Sequence, residues 1–146
     1  MFDVHAPAAT LLIEGTSVRV VSHEGGLASG LMGWAARREA RRLLAGGRVR
    51  EAVSVKTVAA DWAAVNGWLD RPQMESVSGH HNLNVDRLSW AAPGRPPVVV
   101  YRLEGAGHGW PGGPRYAPAL LVGRIPASLG ATGIVLEFVH QQATRE

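Results

Sequence analysis

The stretch PVVVYRLEGAGHGWPGG, residues 97 to 113, constrains the fold more than any other part of the chain. Three consecutive valines followed by a tyrosine and a leucine are rich in β-branched and aromatic residues. Such a run reads as a strand over 97–105. Immediately after it the sequence changes to a loop in which one imidazole, His108, is set among Gly105, Gly107, Gly109, Gly112 and Gly113. Glycine adopts positive φ without steric cost, so Gly105, Gly107 and Gly109 are expected to let the backbone turn sharply around the histidine. Trp110 and Pro111 then stiffen the loop and are expected to line the wall of a pocket beside His108.

The rest of the chain supplies a small set of partners for that strand. TLLIE, 10–14, is a short apolar run closed by Gly15 and reads as a buried strand. LMGWAARREARRLLA, 31–45, reads as an Arg-rich helix ending at Gly46-Gly47. SVKTVAADWAAVN, 54–66, reads as a helix: Ser54 caps it, Val55, Val58, Trp62 and Val65 recur at helical spacing, and Asn66-Gly67 ends it. Residues 68–83 lack periodicity and contain Pro72, Gly79 and the pair His80-His81, which predicts a loop. VDRLSW, 85–90, alternates at period two, and the AAPGRPP link joins it to the 97–105 strand as a hairpin. The final segment predicts a helix from near Ala131 to Gln142, with Leu129, Ile134, Leu136, Phe138 and Val139 as its apolar content. This order of elements defines an α/β chain.

Length and composition bound the rest. At 146 residues, with 46 % hydrophobic and 18 % charged residues, the chain is the size of one domain with one modest core. It contains no cysteine, which excludes disulfides, thiolate catalysis and Cys-based zinc sites. No cationic start precedes an apolar core and no run is long enough to span a bilayer, so neither a signal peptide nor a membrane anchor is expected. The compartment is left unassigned. Lys56 is the only lysine; Arg37, Arg38, Arg41, Arg42, Arg48 and Arg50 cluster on or just after the 31–45 helix. Basic runs are usually solvated faces, and no nucleic-acid reading motif accompanies this one. A phosphate-binding stripe there is the alternative. Adjacent His80 and His81 rarely present both rings to one ion, so they predict loop histidines rather than a metal site with His108. Lone His5, His23 and His140 read as solvent or structural residues, Trp62 as core, and Trp34 and Trp90 as covers of apolar surface. No cofactor is expected.

A histidine directly after a strand, in a glycine-rich loop leading towards a last helix, is where an α/β-hydrolase places its general base. A tight turn with His108 at the surface is the competing reading of the same spacing. The wording of the loop goes further. GAGHGWPGGP, between VVVYRLEG and LLVGRIPASLGATGIVLEFVHQ, resembles the C-terminal end of serine esterases of the polyhydroxybutyrate depolymerase and feruloyl esterase type. LLIEGTSVRVVSHEGG, 11–26, is similar to the family's strand followed by HGTxDxxVPYxGG. SVKTVAADWAAVNG is similar to the family's helix that ends in Asn-Gly-Cys. The resemblance implies a partial α/β-hydrolase fold, built from the last strands and helices of the sheet with a β-hairpin before the histidine loop. It makes residues 1–146 a single C-terminal fragment of the catalytic domain.

By that resemblance His108 is the catalytic histidine, and Trp110 and Pro111 are substrate-contacting residues. The other catalytic positions depart from the pattern. The family's aspartate falls on Val18, the histidine opening its motif on Glu14, its cysteine on Trp68, and an aspartate before the last helix on Gly130. No G-x-S-x-G elbow occurs, GGLASG at 25–30 being in the wrong register. Loss of the serine in a triad enzyme costs on the order of 10^6 in kcat, and loss of the aspartate roughly 10^4. The resemblance therefore implies an ester hydrolase of polyester or aryl-ester type that is inactive as this chain alone. Its relatives are typically secreted. Glu14 is the candidate replacement acid, although it lies four residues, or about 13 Å of extended chain, before the usual position. The alternative function is a non-catalytic binding module that uses the Arg-rich helix on an anionic partner. The strands at 10–14 and 97–104 would be central in a full hydrolase sheet, so exposed edges are expected here, with self-association through them.

Overall fold

A computed structural model describes residues 6–17, 53–77, 83–116 and 119–144. The Arg-rich helix at 31–45, Arg48 and Arg50, His5, His23, Trp34, Val18 and the pair His80-His81 lie outside the described residues. Within them the chain forms strand β1 (Thr10–Gly15), helix α1 (Val55–Val65), strands β2 (Gln73–Ser76), β3 (Val85–Trp90) and β4 (Val98–Leu103), a short helix α2 (Ala119–Val122) and helix α3 (Ala131–Ala143). The four strands make one mixed sheet in the order β1-β4-β3-β2. β1 runs parallel to β4, while β4 with β3 and β3 with β2 are antiparallel.

The valine run sets the layering. Val98, Val99 and Val100 are all buried although alternate side chains of a strand point to opposite faces, so both faces of β4 are covered. On one face Val98 and Val100 pack with Ala59 and Ala63 of α1, joined by Leu12, Trp62, Leu88 and Trp90. On the other, Leu103 and Val85 pack with Leu129, and Ile13, Tyr101 and Ile134 of α3 lean on them. The result is a helix–sheet–helix sandwich of the α/β class. β4 is interior. β1 is half-buried along its length and is an edge of the sheet among the described residues.

Helix α1 begins and ends as its sequence dictates. The Ser54 hydroxyl accepts the Thr57 N–H at 3.1 Å, satisfying an orphan donor of the first turn. At the other end Gly67 takes φ 79°, the Trp68 N–H bonds the Ala63 carbonyl and the Gly67 N–H bonds the Ala64 carbonyl. That pair of bonds is the Schellman arrangement. The expected terminator Asn66 has a second task. It is 5 % exposed, its Oδ1 accepts from the Ala8 N–H, and its Nδ2 donates to the carbonyls of Ala8 and Pro96. It thus ties the entry of β1 and the entry of β4 to the end of α1.

One expectation is corrected. The 68–83 segment is not loop throughout, because Gln73–Ser76 forms β2 on the edge of the sheet. All four of its residues are exposed, so no apolar alternation marked it. It is held by backbone pairing, a 2.9 Å Arg87–Glu75 ion pair and a Ser76–Asp86 hydrogen bond. The apolar content of α3 does not all face inward: Ile134 meets the core, whereas Leu136 and Val139 are more than half exposed. The four-residue α2 was not anticipated. Trp68 donates its indole N–H to the Pro96 carbonyl, and Arg95 lies over its ring at 5.5 Å.

Candidate functional site

The parallel pair places two strand ends side by side. Gly15 of β1 is in register with Leu103 of β4, so both chains leave the sheet at the same edge. In α/β sheets the space outside the carboxyl ends of parallel strands is where ligands bind. The two exits are stitched together. The Thr16 N–H bonds the Leu103 carbonyl, the Ser17 N–H bonds the Ala106 carbonyl, and the Gly105 N–H donates to the Thr16 hydroxyl. The contact is close enough that a side chain on Gly15 would stand 2.5 Å from the Ala106 oxygen.

Beyond this junction the loop is pinned from its other side by residues 122–131. The Gly107 N–H bonds the Arg124 carbonyl and the His108 N–H the Val122 carbonyl. The Gly112 N–H bonds the Pro126 carbonyl. The Pro111 carbonyl accepts from Ala131 at the start of α3, where Gly130 offers no side-chain cap. The Trp110 indole donates to the Thr132 hydroxyl at 3.0 Å. The Tyr116 hydroxyl donates to the His108 carbonyl at 2.7 Å. Both backbone polar groups of His108 are therefore occupied.

This overturns part of the expectation for the glycines. Gly105 does have positive φ, at 73°, but Gly107 and Gly109 do not. Their role is close approach. A Cβ on Gly107 would lie 2.1 Å from the Val122 oxygen, and one on Gly109 would lie 2.4 Å from Ile125 Cδ1. Within this loop the other positive φ falls on Gly112, at 80°. The motif ties the histidine's main chain to the neighbouring Val122 and Tyr116.

A cavity of about 520 Å³ opens at this edge, bordered by His108, Trp110, Pro111 and Tyr116 from the loop side and by Glu14 and Leu103 from the strand ends. His108 is exposed and Pro111 buried. Trp110 is 54 % exposed, its ring available at the cavity mouth. The structure thus brings together all three residues singled out from the loop at one cavity, with Glu14 bordering it from the strand side. Among the described residues no side chain hydrogen-bonds the His108 imidazole, and no group of three or more His, Asp or Glu side chains is arranged to hold a metal ion. Tyr116 was missed by sequence reasoning. It sits in an aperiodic Pro- and Gly-rich stretch, and only the fold reveals that its hydroxyl meets the His108 backbone.

Compared with models of known families, with curated proteins and with solved structures, the chain matches none. What the geometry defines is an α/β layer structure with a loop-borne histidine at the carboxyl edge of a parallel strand pair. No helix among the described residues is long and apolar enough to cross a membrane.

Proposed function

We propose that the chain carries the histidine loop of a serine ester hydrolase of the α/β-hydrolase type, similar to polyhydroxybutyrate depolymerases and feruloyl esterases. The observation that carries this reading is the position of His108: on a backbone-anchored loop, at a cavity outside the carboxyl ends of parallel strands β1 and β4. In such a site a serine hydroxyl attacks the ester carbonyl, the imidazole accepts the serine proton, and it returns that proton to the departing alkoxide. Trp110 and Pro111 wall the acyl or alcohol group. Backbone N–H groups stabilise the tetrahedral oxyanion.

These 146 residues contain no G-x-S-x-G, so in this reading the nucleophile comes from outside them. Val18, at the family's aspartate position, cannot accept an imidazole proton or orient the ring. Glu14 is the carboxylate among the cavity's described lining residues. In this reading it is the candidate replacement acid, four residues before the family's aspartate position.

The test has two parts. The purified chain should hydrolyse p-nitrophenyl butyrate no faster than buffer, and His108→Ala should leave that rate unchanged. Turnover that disappears in His108→Ala would show the isolated chain to be a complete enzyme instead. Genomic DNA upstream of the Met1 codon should encode a G-x-S-x-G segment, and co-expression of that segment should restore His108-dependent hydrolysis. Its absence in every frame would remove the hydrolase assignment.

A further inference from the structure

A second cavity, of about 440 Å³, lies on the α1 face of the sheet. Its volume is that of a small-molecule site. The walls are apolar: Ala59 and Ala60 from α1, Leu88 and Trp90 from β3, and Val100 from β4. Lys56, Ala59 and Ala60 sit at i, i+3 and i+4, so one stripe of α1 faces the space. Arg102 closes the end nearest the strand exits.

Arg102 is the unusual feature. It points to the same face as Val98 and Val100, since strand side chains alternate. Its Nε is buried and has no hydrogen-bond partner. Its register neighbours are Glu14 on β1 and Asp86 on β3, yet the Asp86 carboxylate accepts from the Ser76 hydroxyl at 3.1 Å. The planar fork of arginine matches a carboxylate in two parallel bonds. Lys56 supplies a second cation at the rim, and the first turn of α1 contains no acidic residue to neutralise it. Among the described lining residues the charged groups are the two cations Lys56 and Arg102 and the carboxylate of Glu14.

We propose that this cavity binds a monocarboxylate with a short apolar chain, its carboxylate on Arg102 and its chain between α1 and the sheet against Ala60, Leu88 and Trp90. The proposal does not depend on the hydrolase reading, because none of its contacts uses His108 or the loop that carries it. A bound carboxylate pairs with the Arg102 guanidinium where it borders the cavity, and the chain covers the apolar wall.

The experiment is isothermal titration of the full chain with sodium octanoate, 1-octanol and octylammonium chloride. Octanoate should bind saturably at one site, with 1-octanol about tenfold weaker or worse and octylammonium undetectable, since a charge-assisted pair contributes roughly a tenfold or larger factor. Arg102→Gln should weaken octanoate by about tenfold or more while leaving 1-octanol unchanged, and Lys56→Gln should weaken octanoate a few-fold. Ala60→Phe, which fills the cavity without altering charge, should abolish binding of both. Failure of octanoate to bind, octylammonium binding as tightly as octanoate, or unchanged octanoate affinity in Ala60→Phe would each overturn the proposal. Should Arg102→Gln not fold, the Ala60→Phe result and the octanoate-to-octanol ratio decide.

Discussion

Gly107 and Gly123 meet main chain to main chain: a Cβ on Gly107 would stand 2.6 Å from the Gly123 Cα and 2.1 Å from the neighbouring Val122 oxygen. Neither atom can rotate away. Gly107→Ala is therefore expected to destabilise the fold by about 1–3 kcal/mol or more, as overpacking against unyielding atoms does. Urea denaturation reads this as a lowered midpoint. Gly109→Ala should cost less, because the atom it meets is the end of the Ile125 side chain, which can change rotamer. Equal midpoints for Gly107→Ala and the unmodified chain would show that the two segments are not in contact.

Gly133 gives the opposite expectation. It lies inside α3, and a Cβ there meets nothing within 4 Å. Gly133→Ala should raise stability by about 0.5–1 kcal/mol by lowering the conformational entropy of the unfolded chain. A higher melting temperature by circular dichroism is the expected result, and a lower one would place Gly133 in a crowded or non-helical setting.

Asn66 holds three backbone groups from two distant segments. In Asn66→Ala the N–H of Ala8 and the carbonyls of Ala8 and Pro96 lose those bonds in a site where Asn66 itself is 5 % exposed. The loss should be about 2–3 kcal/mol, measured by chemical denaturation. Asn66→Asp keeps an acceptor for the Ala8 N–H but loses both donated bonds, so it should not rescue. Full stability of Asn66→Asp would mean that only the accepted bond matters.

The Tyr116 hydroxyl bonds the His108 carbonyl from an exposed ring. Tyr116→Phe should cost no more than about 1 kcal/mol in global stability. Its effect should be local: hydrogen exchange at the Gly107 and His108 amides, which bond Arg124 and Val122 across the loop, should speed up while exchange in β4 stays unchanged. Exchange unchanged at those two amides would show that Tyr116 does not anchor the loop.

Elements with a local code were legible in the chain. The Ser54 cap, the Asn66-Gly67 stop, the two arms of the hairpin and the start of the last helix at Ala131 all stand where their capping residues, turn residues or periodicity put them. β2 was not legible because QMES lies on an exposed edge and is specified by its partners Arg87 and Asp86 on another strand. The glycines of the histidine loop carried the same ambiguity. Sequence shows that a side chain is absent at Gly107 and Gly109, but not whether the missing Cβ allows a left-handed turn or leaves room for a neighbour, and here the neighbours are Val122 and Ile125.

The amino-acid sequence by itself determined which segments become strand and helix in most of the described chain, because caps, turns and periodicity act within a few residues of one another. It also determined that His108 follows directly on a strand. Only the tertiary structure decided that β1 lies parallel to β4, that Glu14 and His108 share a cavity, that Tyr116 and Val122 hold the His108 backbone, and that Arg102 closes a second cavity. Those relationships join residues far apart in the chain, and their free energies arise only once the sheet has brought the partners together.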